Sequence, residues 1–346
     1  MKYLLVLVSL LALTTACQKE NKNNFVELFA DRQKADVQKC PFDMADDVLW
    51  APKEFVADGD NFIFVEEKLD TLLCVYNAPT QSVRRILHRG QGPDEYVVLS
   101  SVVAASDGFY AMDFVSRKSN YFDYATLTPT KDSLYLSVAD TLPVSFASIG
   151  DSVRIYEVGG RDLLFYMFEN KRFVSAFGDL SPYYADAESA SEGVMGNFVN
   201  SEKNKRLAWA SFTSDLMEIY DYSAPGSVRR VAAHRGEALQ TEDGVIMGDA
   251  FMSVISLAAS DDYIYALYSG KSLMDVIRET PNMEMIQLAI RKCGYILVFD
   301  WDGNPVRCLT LDNDALYVSY DHKTGKLYCL CFDNDGNYVL RLIANI

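Results

Sequence analysis

Three acidic stretches of the chain have residue types suited to holding a cation: "DWDGN" (300–304), "DNDALY" (312–317) and "DNDGNY" (333–338). In the last, Asp333, Asp335 and Asn337 stand at positions one, three and five of a calcium loop, where alternating side-chain oxygens ring the ion. The match then fails. Position six is Tyr338, where a sharp turn needs glycine, and position twelve is Ala344, where a bidentate carboxylate closes the shell. All three stretches are therefore read as hairpin turns, whose central residues favour positive φ. The histidines His88, His234 and His322 are scattered, and they are read as loop hydrogen-bonding groups. No G-x-S-x-G elbow, H-E-x-x-H helix or G-x-x-x-x-G-K loop occurs, so nucleophilic and phosphoryl-transfer chemistry lack a sequence basis. What remains is dispersed carboxylates. Asp94, Glu95, Asp113, Glu157 and Asp249 could support calcium-dependent hydrolysis only if the fold gathered them around one ion.

The elements that would have to position them read as strands. Beyond residue 25 the chain is short runs of Val, Ile, Leu, Tyr and Phe between Asp, Gly and Asn turns, with few helical stripes. A polar turn followed by a strand recurs six times, with Phe62, Phe109, Val153, Leu207, Tyr263 and Leu327 as equivalent strand starts. Their spacings are 47, 44, 54, 56 and 64 residues, and the last shrinks to 44 once the helix-like, turn-free stretch 273–292 is set aside as an insertion. This period, with about four strands per repeat, predicts an all-β, six-bladed β-propeller. The run "SVRRILHRGQGPDEY" (82–96) is echoed three periods later by "SVRRVAAHRG" (227–236). "SVRRIL" is read as an outer strand with its arginines at the solvated rim, and "HRGQGPDEY" as the loop crossing to the next blade, its Gly90, Gly92 and Pro93 shaping the backbone. The final repeat lacks an outer strand, so "NNFVEL" or "DVLWAP" near the start is expected to supply one and close the ring.

The first residues, "MKYLLVLVSLLALTTAC", follow signal-peptide grammar: one Lys, an apolar run, then small residues before Cys17. Residues 1–16 are read as the signal, Cys17 as a lipidation site resembling the bacterial lipobox, 17–24 as a solvated tether and 25–346 as the propeller. Membrane attachment would be through the lipid only. The formal charge is −16, or −17 once Lys2 is removed, which disfavours nucleic acid as a partner. Cys40, Cys74, Cys293, Cys308, Cys329 and Cys331 show no zinc spacing and are read as small buried hydrophobes, with one or two disulfides as the alternative.

The phrases "GQGPDEYVVLSSVVAASDGFYAMDFVSRKSNYFD" and "ILVFDWDGNPVRCLTLDNDALYVSYDHKTGKLYCL" resemble NHL-like repeats and, more closely, the TolB-like six-bladed propeller lipoproteins of Bacteroidetes. The resemblance implies the fold and an exported location in the bacterial cell envelope, as an outer-membrane lipoprotein on its periplasmic face or surface, and carries no reaction with it. A propeller gathers loops around one funnel. The candidate ligand contacts are Arg89, Gln91, Asp94, Glu95, Asp113, Arg117, Arg235 and Tyr268, with the insertion as a lid, a partner contact or packing on its own blade. The expected role is a monomeric, non-enzymatic module, without cofactor, that binds an envelope protein or carbohydrate. The alternative is a calcium-dependent, lactonase-like hydrolase with its site in the channel.

Overall fold

The computed structural model describes residues 25–346 other than 43, 45–47, 93, 106–107, 117, 131–142, 151, 160, 185–190, 192, 225, 237–239, 243–244, 248–250, 281 and 334. A 3-10 turn at Phe25–Leu28 leads into two short strands, β1 (Arg32–Lys34) and β2 (Val37–Lys39). Blade one follows as β3 (Pro52–Asp58), β4 (Asn61–Glu66), β5 (Thr71–Asn77) and β6 (Ser82–His88). Blade two is β7 (Ser101–Ala105), β8 (Gly108–Asp113), β9 (Lys118–Asp123) and β10 (Pro129–Thr130), and blade three is β11 (Pro143–Ile149), β12 (Val153–Val158), β13 (Leu163–Glu169) and β14 (Arg172–Asp179). Blade four is β15 (Gly196–Ser201), β16 (Arg206–Ser211), β17 (Leu216–Asp221) and β18 (Arg229–Arg235), after which a small hairpin, β19 (Gln240–Glu242) and β20 (Val245–Met247), lies in the crossing. Blade five holds β21 (Phe251–Ala259), β22 (Tyr263–Ser272), β23 (Cys293–Asp300) and the first part of β24 (Pro305–Asp321). The second part of β24 begins blade six and pairs with β25 (Lys326–Phe332), which pairs with β26 (Tyr338–Ile343).

Each of the six equivalent residues picked out by repeat spacing lies on the second strand of a blade. These strands are buried almost throughout, as in β8, where every residue is buried. Neighbouring blades cover both faces of such a strand, so it reads as a continuous apolar run rather than an alternating one. The apolar side chains fill the wedges between blades. Phe165, Phe177, Trp209 and Tyr220, for example, belong to one core shared by blades three and four. The inner strands β3, β7, β11, β15, β21 and the second part of β24 each contact the next, and the last contacts the first, so the ring is closed.

Closure uses a different segment from the two the sequence suggested. β2 pairs antiparallel with β26 through Val37↔Ile343 and supplies the fourth strand of blade six. "NNFVEL" instead contains the 3-10 turn, whose Phe25 is buried against Tyr268, and "DVLWAP" runs into β3. β1 adds a parallel strand beside the outer part of β24, with Arg32 opposite Cys308. The "DNDALY" stretch is a second correction. It is not a hairpin turn but lies inside β24, where the chain passes from the outer edge of blade five to the inner edge of blade six. The other two acidic stretches are turns, as expected. Asp300 accepts from the amides of Asp302 and Asn304, and Asp333 from those of Asp335 and Asn337, with Gly303 and Gly336 at φ of 87° and 90°. The six described cysteines are all buried, and Cys74, Cys293, Cys308, Cys329 and Cys331 are free thiols.

Candidate functional site in the central channel

Because the blades are antiparallel, the ring has two unlike faces. The crossing face carries the connections between blades and those from second to third strands, and the turn face carries the other hairpins. The insertion joins β22 to β23, so its two helices, α1 (Leu273–Glu279) and α2 (Met283–Arg291), belong to the crossing face. α2 reaches over blade six toward blade one, where Arg291 lies 3.8 Å from Glu67 and Leu288 packs on the core beneath.

Along the ring axis runs a cavity of about 730 Å³, lined by residues from all six inner strands. The inner strands splay apart and leave edge N–H and C=O groups that backbone pairing cannot satisfy, and such groups are costly unless bonded. Side chains bridge the gaps. Glu54 of blade one accepts from Ser101 Oγ and the Val102 amide of blade two, both at 3.2 Å. Asn197 donates to the Ile255 carbonyl at 3.1 Å, Ser256 joins Val318, and Ser319 accepts from the Ala57 amide at 2.9 Å. The channel wall thus combines neutral polar groups with apolar side chains such as Val102, Phe146, Phe198 and Leu257. Lys53 adds an amine at the crossing-face mouth, where burial lowers its pKa.

The turn-face mouth is stitched by charge. Lys323 donates to Asp58 at 2.7 Å across blades six and one, Glu202 accepts from the Gly150 amide at 2.9 Å, and Lys203 lies within 3.7 Å of Asp261. These contacts join one blade's turn to its neighbour's, a structural use for side chains that also face the channel.

The sequence candidates divide between surface and interior. Arg89, Gln91 and Asp94 are exposed on the crossing loop after blade one, and Arg89 staples that loop by donating to the carbonyls of Glu67 (2.8 Å) and Val97 (3.3 Å). Glu95 turns inward, accepts from the Gly92 amide at 2.8 Å and fills the space a Cβ at Gly90 would need. Asp113 is fully buried and accepts from the amides of Val97 and Ser116 at 2.6 and 2.9 Å. Tyr268 is also fully buried, donating to Asp215 at 3.0 Å. These last two hold the fold and offer no surface to a ligand. Arg235 lies three blades away from Arg89, over the ring of Tyr183 at 5.7 Å. Arg117, Asp249 and Cys17 lie outside the described residues.

The described carboxylates weighed for calcium chemistry, Asp94, Glu95, Asp113 and Glu157, do not form a metal-holding group. Glu157 is buried between blades three and four, accepting from Ser145 Oγ (2.5 Å), Trp209 Nε1 (3.1 Å) and the Gly196 amide (3.1 Å). Among the described residues no group of three or more His, Cys, Asp or Glu side chains could hold a metal ion. The histidines are apart as well: His234 bonds the Gly303 carbonyl, His322 packs on Tyr320, and His88 is exposed. Sequence reasoning passed over Lys53 and Glu54, adjacent charges in "PKEFVAD", although a charged pair within a buried strand was the available signal.

Burial pushes the carboxyls of Glu54 and Glu157 up to about 7, and that of Asp215 up to about 6. Between the ordinary carboxylate range and these values, the native protein holds protons that the unfolded chain has released, so stability falls as pH rises. The urea midpoint is therefore expected to be higher at about pH 5.5 than at about pH 8, with a smaller difference in Glu157→Gln. A midpoint that rises with pH would contradict this assignment.

Several solved structures share the fold. A Bacteroides fragilis protein described as exported aligns with a TM-score of 0.55 at 10% identity, covering 93% of this chain and 96% of that one. The Cps50 (Swd1) β-propeller domain of Myceliophteria thermophila aligns at 0.51 and 7% identity, covering 89% and 100%. A Lactobacillus plantarum protein aligns at 0.50 and 12% identity, covering 82% and 78%. No curated protein matches the chain. Residues 43–323, from the entry into blade one through the turn after β24, match one family throughout, and the chain belongs to the TolB-like 6-blade propeller-like family.

Proposed function

We propose that this protein is an exported, lipid-anchored binding module whose central channel takes a segment of an envelope protein or a carbohydrate. One observation carries the reading: a cavity of about 730 Å³, within the size range of ligand pockets, is lined by every blade, with neutral polar side chains from blades two to six. Hydroxyls and amides on a rigid ring can exchange hydrogen bonds with a polar, uncharged ligand without a buried charge being left unpaired. The leader and the small residues before Cys17 support export and acylation. The role is binding without catalysis. A calcium hydrolase would gain native-state stability on binding its ion, by roughly 2.7 kcal/mol at a hundredfold excess over Kd. The same thermal midpoint is expected for the full chain in calcium and in chelator, whereas a midpoint about 4 °C higher in calcium would overturn the metal-free reading.

A further inference from the structure

The large apolar side chains left exposed are unevenly distributed. Among the described residues, Trp50 (61% exposed), Val98, Val115, Met274, Ile277 and Met285 lie on the crossing face, Val83 and Phe173 are isolated at the turn face, and Leu28 ends the 3-10 turn of the entering segment. Those on blades one and two are held in one rigid arc by bonded groups. The Trp50 amide donates to Glu66 at 3.1 Å, Arg89 links the carbonyls of Glu67 and Val97, and the Val98 amide donates to Asp113, two residues before Val115. α2 joins the arc where Arg291 meets Glu67, bringing Met285 and, through α1, Ile277 to the same side. Apolar groups fixed in place on one face, with no core beyond them, mark a contact surface.

The path of the chain indicates what this surface meets. Phe25 is buried and stacks on Tyr268 at 6.0 Å, and the strand bearing Tyr268 runs directly into α1. The polypeptide therefore enters the body beside the insertion. Cys17 is eight residues before Phe25, a reach of at most about 28 Å. An acyl chain at Cys17 would hold the crossing face close to the bilayer to which it is anchored. Tryptophan among aliphatic side chains suits a lipid headgroup region, where one end of the indole is apolar and its N–H is solvated. The charge of −16 selects zwitterionic over anionic lipid.

We propose that the crossing face rests on a zwitterionic bilayer through Trp50, Val98, Val115, Ile277 and Met285, a second membrane contact beside the lipid anchor. This rests on the acylation of Cys17 proposed above. Docked in this way, the propeller turns its other mouth, ringed by Asp58, Lys203 and Lys323, toward the aqueous phase.

The chain carries its own probe, since Trp50 is exposed while Trp209 and Trp301 are 0% and 5% exposed. The mature full-length protein is first weighed to establish the acyl group, then reconstituted in phosphatidylcholine–phosphatidylethanolamine vesicles with brominated acyl chains. Most of the emission that Trp50→Phe removes is expected to be quenched by the brominated lipid and shielded from acrylamide. Ile277→Glu with Met285→Glu, both at solvent-exposed helix positions, should reverse the effect without unfolding the ring. An acylated protein whose Trp50 stays open to acrylamide would overturn the docking and leave the anchor standing. Trp50 shielded in native membranes but not in lipid vesicles would assign the face to a protein, and shielding that grows with protein concentration without lipid would assign it to a second copy. Either result overturns the proposal. A product without the acyl group would overturn the anchor and the docking with it.

Discussion

A chain that begins at Pro41 should unfold at a much lower urea midpoint than the full-length protein. The removed segment supplies β2, the fourth strand of blade six, and buries Phe25, Phe29, Ala35 and Cys40 in three separate cores. Full burial of a large apolar side chain contributes about 1.5–3 kcal/mol, so the two phenylalanines alone approach the 5–15 kcal/mol by which a typical domain is stable. β26 would also be left as an open edge, exposing unpaired N–H and C=O groups to other chains. The milder substitution Gln38→Pro removes one donor from the pairing with Leu342, and a lower urea midpoint is expected with the fold retained. An unchanged midpoint in the truncated chain would show that the ring holds without its closing strand.

Phe165→Ala is the second large effect, at about 3–5 kcal/mol of lost stability. The ring is fully buried between blades three and four, with centroids 5.1–5.8 Å from those of Phe177, Phe198, Trp209 and Tyr220. Three of the four contacts are edge-on, the arrangement favoured by aromatic quadrupoles. Removing the ring leaves a void walled by rigid side chains that cannot collapse into it. Phe173→Ala, at a site 58% exposed on the outer strand of blade three, is expected to stay within about 0.5 kcal/mol. Chemical denaturation of both variants reads the contrast directly, and equal losses would contradict the packing described.

The repeat was legible in the sequence because each second strand is buried on both faces, which forces an apolar run at a regular interval. The outer strands "SVRRIL" and "RRVAAHR" were legible too, since a solvated rim tolerates charge. The closing strand was not. β2 is only "VQK", held by backbone pairing, and three residues at an edge carry no apolar alternation to mark them. "DNDALY" misled because polar residues suit a chain passing between blades as well as they suit a turn. For the candidate site, sequence placed Arg89 to Glu95 on a crossing loop but could not show that Asp113 and Tyr268 are buried, since their partners come from other turns and blades. The channel wall was hidden for the same reason. Ser101, Asn197, Ser256 and Ser319 are ordinary strand residues until the ring sets them around one axis.

The central claim, that the channel is the binding site, is tested most directly by the change in thermal midpoint of the full chain with a panel of envelope oligosaccharides and peptides, in the native sequence and in Val144→Trp. Val144 lines the cavity on the inner strand of blade three, so an indole there occupies the ligand's space. The account predicts at least one compound that raises the native midpoint and has no effect on the filled variant. A panel whose active compounds stabilise both proteins equally would contradict it.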